Sequence, residues 1–313
     1  MAGEAQAAEE RKSEPTGPAD AAVSRDPGTP DTAPDDADDL RGFHFRRLIH
    51  RRSTWLWGGI PTVIVAIALA FGNVVWVPII LILGTLITLI VCWIKAVSRA
   101  EDAFFIAYAE ECGMTRTEDG QLPGSTPLLR KGDERKAEEI LSGPLGDGAD
   151  GSVALYTYTD VYHDKDGRHE TDYHFTVCTT NVRECRERLP GLYANRKFGL
   201  RVFEKLEDAF RSKQRVHLES EKLEDEYEIF TDKGQDQNFL RQLFSPTFIV
   251  WMTDQAPHKF AFELEDGVLC CNVKGHKKSA ADLDAMRGAA THIAKRVRDE
   301  VREGASPGTA AST

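Results

Sequence analysis

Two stretches of the chain carry no charge. Trp55 to Phe71 is apolar for about 17 residues and Val74 to Ile94 for about 21. As helices they reach roughly 26 and 32 Å, against a hydrocarbon core of roughly 30 Å. Only Gly72 and Asn73 separate them, two residues that tolerate the left-handed conformation of a tight reversal. Pro61 and Pro78 fall near the start of each run, where a missing N–H costs least. Trp55, Trp57, Trp76 and Trp93 sit near the run ends, as an interfacial aromatic belt does. The pattern predicts a transmembrane helical hairpin over residues 55–94. A pair of buried core helices fits such long uncharged runs poorly. A signal peptide fits poorly too, because a long polar stretch precedes the first run and a second run follows at once.

Residues 95–303 alternate like a soluble domain. Ala96 to Cys112 prolongs the second span as an amphipathic helix with Val97, Ala100, Phe104, Ala107 and Tyr108 on one face, stopped by Gly113. Thr115 to Thr126 reads as irregular, Asp133 to Leu141 as a short helix, and Gly143 to Gly151 as a glycine-rich loop. Ser152 to Thr180 is the clearest β signal, a hairpin turning at Asp166-Gly167. It places Tyr156, Tyr158 and Tyr162 on the face of Tyr173, Phe175 and Val177, and Thr157, Thr159, His163, Asp172 and His174 on the other. The aromatic face reads as one wall of a core. Phe198 to Phe210 reads as a helix, Val216 to Leu218 and Tyr227 to Phe230 as short strands. Asp236 to Phe244 and Pro246 to Thr253 read as two helices broken at Ser245-Pro246. His258 to Glu265 and Val268 to Val273 form a second hairpin at Asp266-Gly267. The last helix, Ala280 to Glu303, opens on a Ser279/Asp282 capping box and carries Leu283, Met286, Ala290, Ile293, Val297 and Val301 as a stripe. The fold class expected is α+β: a transmembrane helical hairpin, then a soluble domain of antiparallel β hairpins and packed helices.

Charge adds the ends and the orientation. The first 40 residues hold 11 acidic and 3 basic side chains with few large apolar ones, so residues 1–40 read as a disordered acidic tail. Residues 41–54 are a basic juxtamembrane segment, and 304–313 a second disordered tail. Arg46, Arg47, Arg51 and Arg52 before the hairpin and Lys95 and Arg99 after it put both termini and the soluble domain in the cytoplasm, at the plasma (inner) membrane. Five cysteines outside the spans, Cys112, Cys178, Cys185, Cys270 and Cys271, suit a reducing compartment. The net charge of −11 argues against a nucleic-acid partner.

Candidate chemistry is thin. His163, Asp164, His169, Asp172 and His174 crowd the first hairpin, but Asp164 facing His169 and Thr159 facing His174 do not supply the ligands of a zinc site. Asp164-Lys165-Asp166-Gly167 resembles part of a calcium loop without its later ligands. Gly143–Gly151 lacks the Lys-Ser/Thr of a phosphate loop. Vicinal Cys270 and Cys271 are expected on opposite faces, one buried and one exposed. No catalytic, cofactor-binding or metal-ligating residue is assigned, and no cofactor is expected.

The segments "ILSGPLG…VALYTYTDVY", "YEIFTDKGQDQNFLRQLFSPTFIVWM" and "FAFELEDGVLCCNV" follow the hairpin in order. Within them Tyr227-Glu228-Ile229-Phe230-Thr231-Asp232 and Leu243-Phe244-Ser245-Pro246 are similar to strand and helix-break motifs of a bacterial, actinobacterial-like group of two-span membrane proteins with an uncharacterised cytoplasmic domain. The resemblance spans roughly residues 55–303 and implies a membrane location and this layout. It implies no activity. The expected function is a membrane-anchored, non-enzymatic cytoplasmic module. Its partners would be the bilayer and an unidentified protein, with homo-oligomers allowed, and it would serve in partner binding or as an envelope-associated scaffold. The alternatives are a membrane-tethered enzyme of unknown class, for which His163, His174, Asp160 and Asp172 come first for substitution, and a small oligomeric channel or transport component.

Overall fold

The computed structural model describes residues 76–165, 167–197 and 213–305, together with the single helical residue Ile67. The acidic tail, the basic segment 41–54, the first apolar run apart from Ile67, its Gly72-Asn73 turn, the helix expected at 198–210 and the end of the C-terminal tail lie outside the described residues.

Helix α1, Trp76–Cys112, is a single element of 37 residues, roughly 55 Å long. Its stretch from Ile82 onward is long and apolar enough to cross a membrane. Ile82, Leu86, Ile90 and Ile94 are all at least half exposed, which a soluble core helix does not tolerate over three turns. Further along, Ala100, Phe104, Phe105 and Tyr108 are buried, so one helix serves first bilayer and then protein core. It ends at Gly113 (φ +64°) in a Schellman motif: Met114 N–H reaches Ala109 C=O and Gly113 N–H reaches Glu110 C=O.

The domain is built on one antiparallel sheet of nine described strands: β1 Thr115–Gly120, β2 Glu134–Gly146, β3 Ala149–Asp164, β4 Gly167–Asn181, β5 Gly191–Arg196, β6 Lys213–Arg215, β7 Tyr227–Asp232, β8 Ala261–Glu265 and β9 Val268–Lys274. Their spatial order is β1-β2-β3-β4-β9-β8-β5-β7-β6. Five described helices follow α1: α2 Pro127–Arg130, α3 Glu221–Glu226, α4 Gln237–Leu243, α5 Pro246–Val250 and α6 Ala280–Ala305. Ser245 caps α5 with Pro246 in its first turn, as the Ser-Pro break predicts, and α5 runs on into one π-helical turn, Trp251–Gln255. The Ser279 cap of α6 forms as well, its hydroxyl accepting from Asp282 N–H at 3.2 Å.

One face of the sheet packs Val153, Leu155, Cys178, Leu269 and Cys271 against α1, α4, α5 and the predicted stripe of α6. The opposite face holds a second cluster, in which Leu128 and Leu129 of α2 cover Ala137, Ile140, Ala154, Tyr156, Tyr158 and Cys270. The aromatic face is thus a core wall at Tyr156 and Tyr158. Tyr162 on the same face stays exposed.

Five expectations are corrected. Thr115 to Gly120 is an edge strand. Glu134 to Gly146 is a strand, although Glu-Arg-Lys-Ala-Glu-Glu favours helix; pairing along β3 and burial of Ala137, Ile140 and Leu141 override that local preference. The glycine-rich run is the β2–β3 hairpin, turning at Asp147 (φ +50°) and Gly148 (φ +71°). Gly151 is needed there, because a Cβ would stand 2.1 Å from Thr179 O. Cys270 and Cys271 do point to opposite faces, but both are fully buried, since the sheet is covered on both sides. The β3–β4 register also shifts. Asp164 pairs with Gly167 and Thr157 with His174, two residues from the expected alignment. A two-residue slip leaves every side chain on its expected face.

Candidate functional site

Side-chain contacts fix the direction of α1 across the sheet. Arg287 of α6 donates to Cys112 Sγ (3.1 Å) and to Pro144 O (3.2 Å), placing the helix end beside the β2–β3 turn. Arg116 joins Asp102 (2.9 Å) to Glu139 (2.5 Å), half-way down β2. Lys278, just past β9, pairs with Glu101 at 2.7 Å. Followed back from Cys112, the helix therefore runs along β2 from Pro144 past Glu139 and on into its apolar stretch.

β3 runs the same way. It leaves its last β2 partner at the Thr159–Glu134 pair, while β4 keeps β9 only as far as Phe175. Beyond these limits β3 and β4 pair with each other alone, up to Asp164–Gly167. This two-stranded arm points toward the apolar end of α1. From Leu155, level with Glu139, to Asp164 is roughly 30 Å of strand, whereas Asp102 to Lys95 is roughly 10 Å of helix. The arm is therefore longer than the stretch of helix that separates Asp102 from Lys95.

The arm gathers most of the polar residues that the hairpin pattern singles out. His169 Nε2 lies 2.9 Å from Asp164 Oδ1, and its ring stacks on exposed Tyr162 at 5.2 Å. Thr159 donates to Asp172 at 2.7 Å. Arg168 bridges Glu170 (2.7 Å) and Glu134 (3.0 Å). His163 and Asp160 lie along the arm, two and five residues before Lys165 of the turn, and neither converges on His174. Among the described residues no three His, Cys, Asp or Glu side chains are grouped to hold a metal ion.

At the arm's base a different histidine pair forms. His174 Nδ1 lies 2.9 Å from Thr157 Oγ1, and His276 Nε2 lies 3.2 Å from the same hydroxyl and 3.3 Å from Tyr156 O. The two rings meet edge to face at 4.8 Å. Glu138 Oε2 stands 3.4 Å from His276 Nδ1. Burial pulls the His276 imidazole below its ordinary range, with Glu138 opposing. His276 follows β9 with no motif around it, so only the Thr157–His174–His276 contact reveals it.

Glu263 is a second residue that the sequence pattern does not single out. Alternation along β8 sets it on the face opposite Phe260, Phe262 and Leu264, and the structure places it there. That side is the second core cluster, and the carboxylate is fully buried, accepting from Leu128 N–H of α2 at 2.9 Å. Burial pushes it up to about 7, with the Leu128 N–H and the Thr126 hydroxyl pulling the other way. Close by, an open cavity of about 460 Å³ is lined by Leu122, Asp133, Glu134, Arg135, Lys136 and Tyr156. Its charges are of both signs and select no ligand charge.

No protein-family model and no curated protein matches the chain. Among solved structures the chain is similar to the crystal structure of the mycobacterial trehalose monomycolate transport factor A, at a TM-score of 0.38 and 9% identity, over 63% of this chain and 91% of that one.

Proposed function

We propose that this protein is a membrane-anchored, non-enzymatic module that holds a β-sheet domain at the cytoplasmic face of the bilayer and presents the β3–β4 arm to a protein partner. The observation that carries the reading is the direction of the arm: the contacts of Cys112, Asp102 and Glu101 aim it toward the end from which the apolar stretch of α1 emerges. The basic residues Lys95 and Arg99 that follow the span support the cytoplasmic side. A two-stranded ribbon is marginal on its own, so an exposed one is best suited to docking.

The test is a distance measurement on the full chain in nanodiscs. A fluorescent amino acid at His163 or at Asp147, which turn at opposite ends of β3, is paired with an acceptor on lipid headgroups. Strong transfer from position 163 and weak transfer from position 147 is expected. Equal or reversed transfer sinks the reading.

A second reading, a subunit of an oligomeric membrane transport assembly, has one specific support. Gly84 and Thr88, one turn apart in the apolar stretch of α1, form a small-residue stripe among exposed Leu83, Leu86 and Ile87, whereas Cys92, Ala96 and Ala100 further along are already covered within the chain. Such a small-residue stripe lets another helix approach closely. Native mass spectrometry from nanodiscs decides: a monomer ends this reading, and a defined oligomer dissociated by Gly84→Leu supports it.

A further inference from the structure

The backbone of the arm is asymmetric in a way the side chains do not advertise. Gly275 N–H donates to His174 O at 2.7 Å, on the β9 side of β4. In an antiparallel ladder alternate residues point the same way, so the N–H and C=O groups of Asp172, Glu170 and Arg168 also face away from β3. β9 has turned off at Gly275 (φ +90°), and no strand of the described residues fills the lane beyond it. The opposite edge is treated differently. Val161 N–H, which faces away from β4, is taken by the Asp133 carboxylate at 2.8 Å, and Thr159 O receives Asp133 N–H at 2.9 Å. One edge of the ribbon is thus capped from within the chain and the other presents three consecutive outward pairs.

Resting on the partner-binding reading above, we propose that the β4 edge from Arg168 to Asp172 takes up a basic, extended segment of an integral membrane protein as an added strand, in the lane that β9 vacates. Main-chain hydrogen bonds supply the affinity of such strand addition and flanking side chains the choice of partner. Here Glu170 and Asp172 border the lane, with Asp160 and Asp164 on the adjoining strand, against Arg168 and Lys165 at the tip and Lys274 at the inner end, where Lys277 and Lys278 are paired with Asp282 and Glu101. The balance is acidic. It repels a second copy of the same edge, the usual hazard of an open strand, and it repels anionic headgroups. It attracts Lys and Arg, which are concentrated in the cytoplasmic segments that flank membrane spans.

The probe is a fluorescein-labelled octapeptide of alternating Lys and Val, compared with a twin in which alternate amides are N-methylated. The twin keeps charge and length but loses one edge of donors. With the full chain in phosphatidylcholine nanodiscs, the parent peptide is expected to bind at least tenfold tighter than the twin. Glu170→Pro removes an outward N–H that β3 does not use and is expected to erase that difference. Equal binding of parent and twin to the unmodified chain overturns the proposal, and needs no variant to fold. A photo-crosslinker at His163 and another at Glu170, used in native membranes, separate the two readings. Adducts with one integral membrane protein from both positions, through a Lys/Arg-rich segment, support the proposal. If both positions capture that protein but the peptide pair binds alike, the partner stands and the strand mode falls. Adducts only with a second copy, with residues 41–54 of this chain, or with nothing overturn both.

Discussion

β3 and β4 are continuous strands that live in two environments. Between Val153 and Tyr158, and again between Val177 and Thr180, they are covered on both faces and flanked by β2 and β9. From Asp160 to Asp172 the same two strands have no neighbouring strand among the described residues and carry charge on both faces. The inner half is held by packing, the outer half by its own ladder. A fold invests in the first for stability. The second is free to vary in sequence without unfolding the domain, which is the condition a docking element needs.

The sharpest way to break this comparison is to cut into the core shared with α1. Phe104→Ala removes a fully buried ring and is expected to cost about 3–5 kcal/mol, read as a lower urea midpoint of the full chain in nanodiscs. Tyr162→Ala on the arm is expected to stay within about 0.5 kcal/mol in the same assay. Comparable losses would mean that the arm is part of the core.

Glu263 sharpens the contrast through pH. Its carboxyl is raised from 4.5 to about 7 in the folded chain. Between those values the folded state holds a proton that the unfolded state has released, so this group lowers stability as pH rises through that window and no further above it. The size is roughly 3 kcal/mol. Glu263→Gln is expected to flatten this slope, leaving stability near pH 5 unchanged and raising it near pH 8. An unchanged slope would place the titration elsewhere.

Glycines give a smaller effect. Gly151→Ala drives a Cβ to 2.1 Å from Thr179 O and should cost about 1–3 kcal/mol. Gly148→Ala, with φ +71° and nothing within 4 Å, meets only backbone strain, about 1 kcal/mol. Hydrogen exchange reads the finest difference. Amides of Thr176, Cys178 and Thr180, which face β9, should be protected, whereas those of Glu170 and Asp172 should exchange fast. Protection at Glu170 in the isolated protein would mean that its lane is already filled.

The elements most legible in the sequence are those whose pattern and turn chemistry agree. Asp266-Gly267, both in the left-handed region, joins two alternating runs, and Ser279 precedes a clean apolar stripe. The apolar run at Val74–Ile94 announces α1 by length alone. The misread segments are those where local preference and tertiary pairing disagree. Residues 134–141 are charged and helix-favouring, but a strand is what β3 leaves room for. Alternation along β8 sets Glu263 on the face opposite Phe262 and Leu264, but does not show that α2 roofs that face. The histidine pair was legible only in part: His174 stands in a visible hairpin, but His276 lies 102 positions away in a loop without periodicity. The open edge of β4 is invisible in sequence, since it follows from where β9 stops.

The contact between Tyr108 and Asp284, 2.7 Å apart in space and 176 residues apart in sequence, sets a timetable. α1 enters the bilayer while most of the sheet is still unsynthesised. At 5–20 residues per second, α6 follows roughly 10–35 s later. Until then the protein-facing half of α1, with Phe104, Phe105 and Tyr108, has no last helix to close over it. The arm's strands are made in that interval, already tethered beside the membrane where a partner would meet them. A protein that docks on the arm, as proposed, would therefore find it exposed before the core is finished.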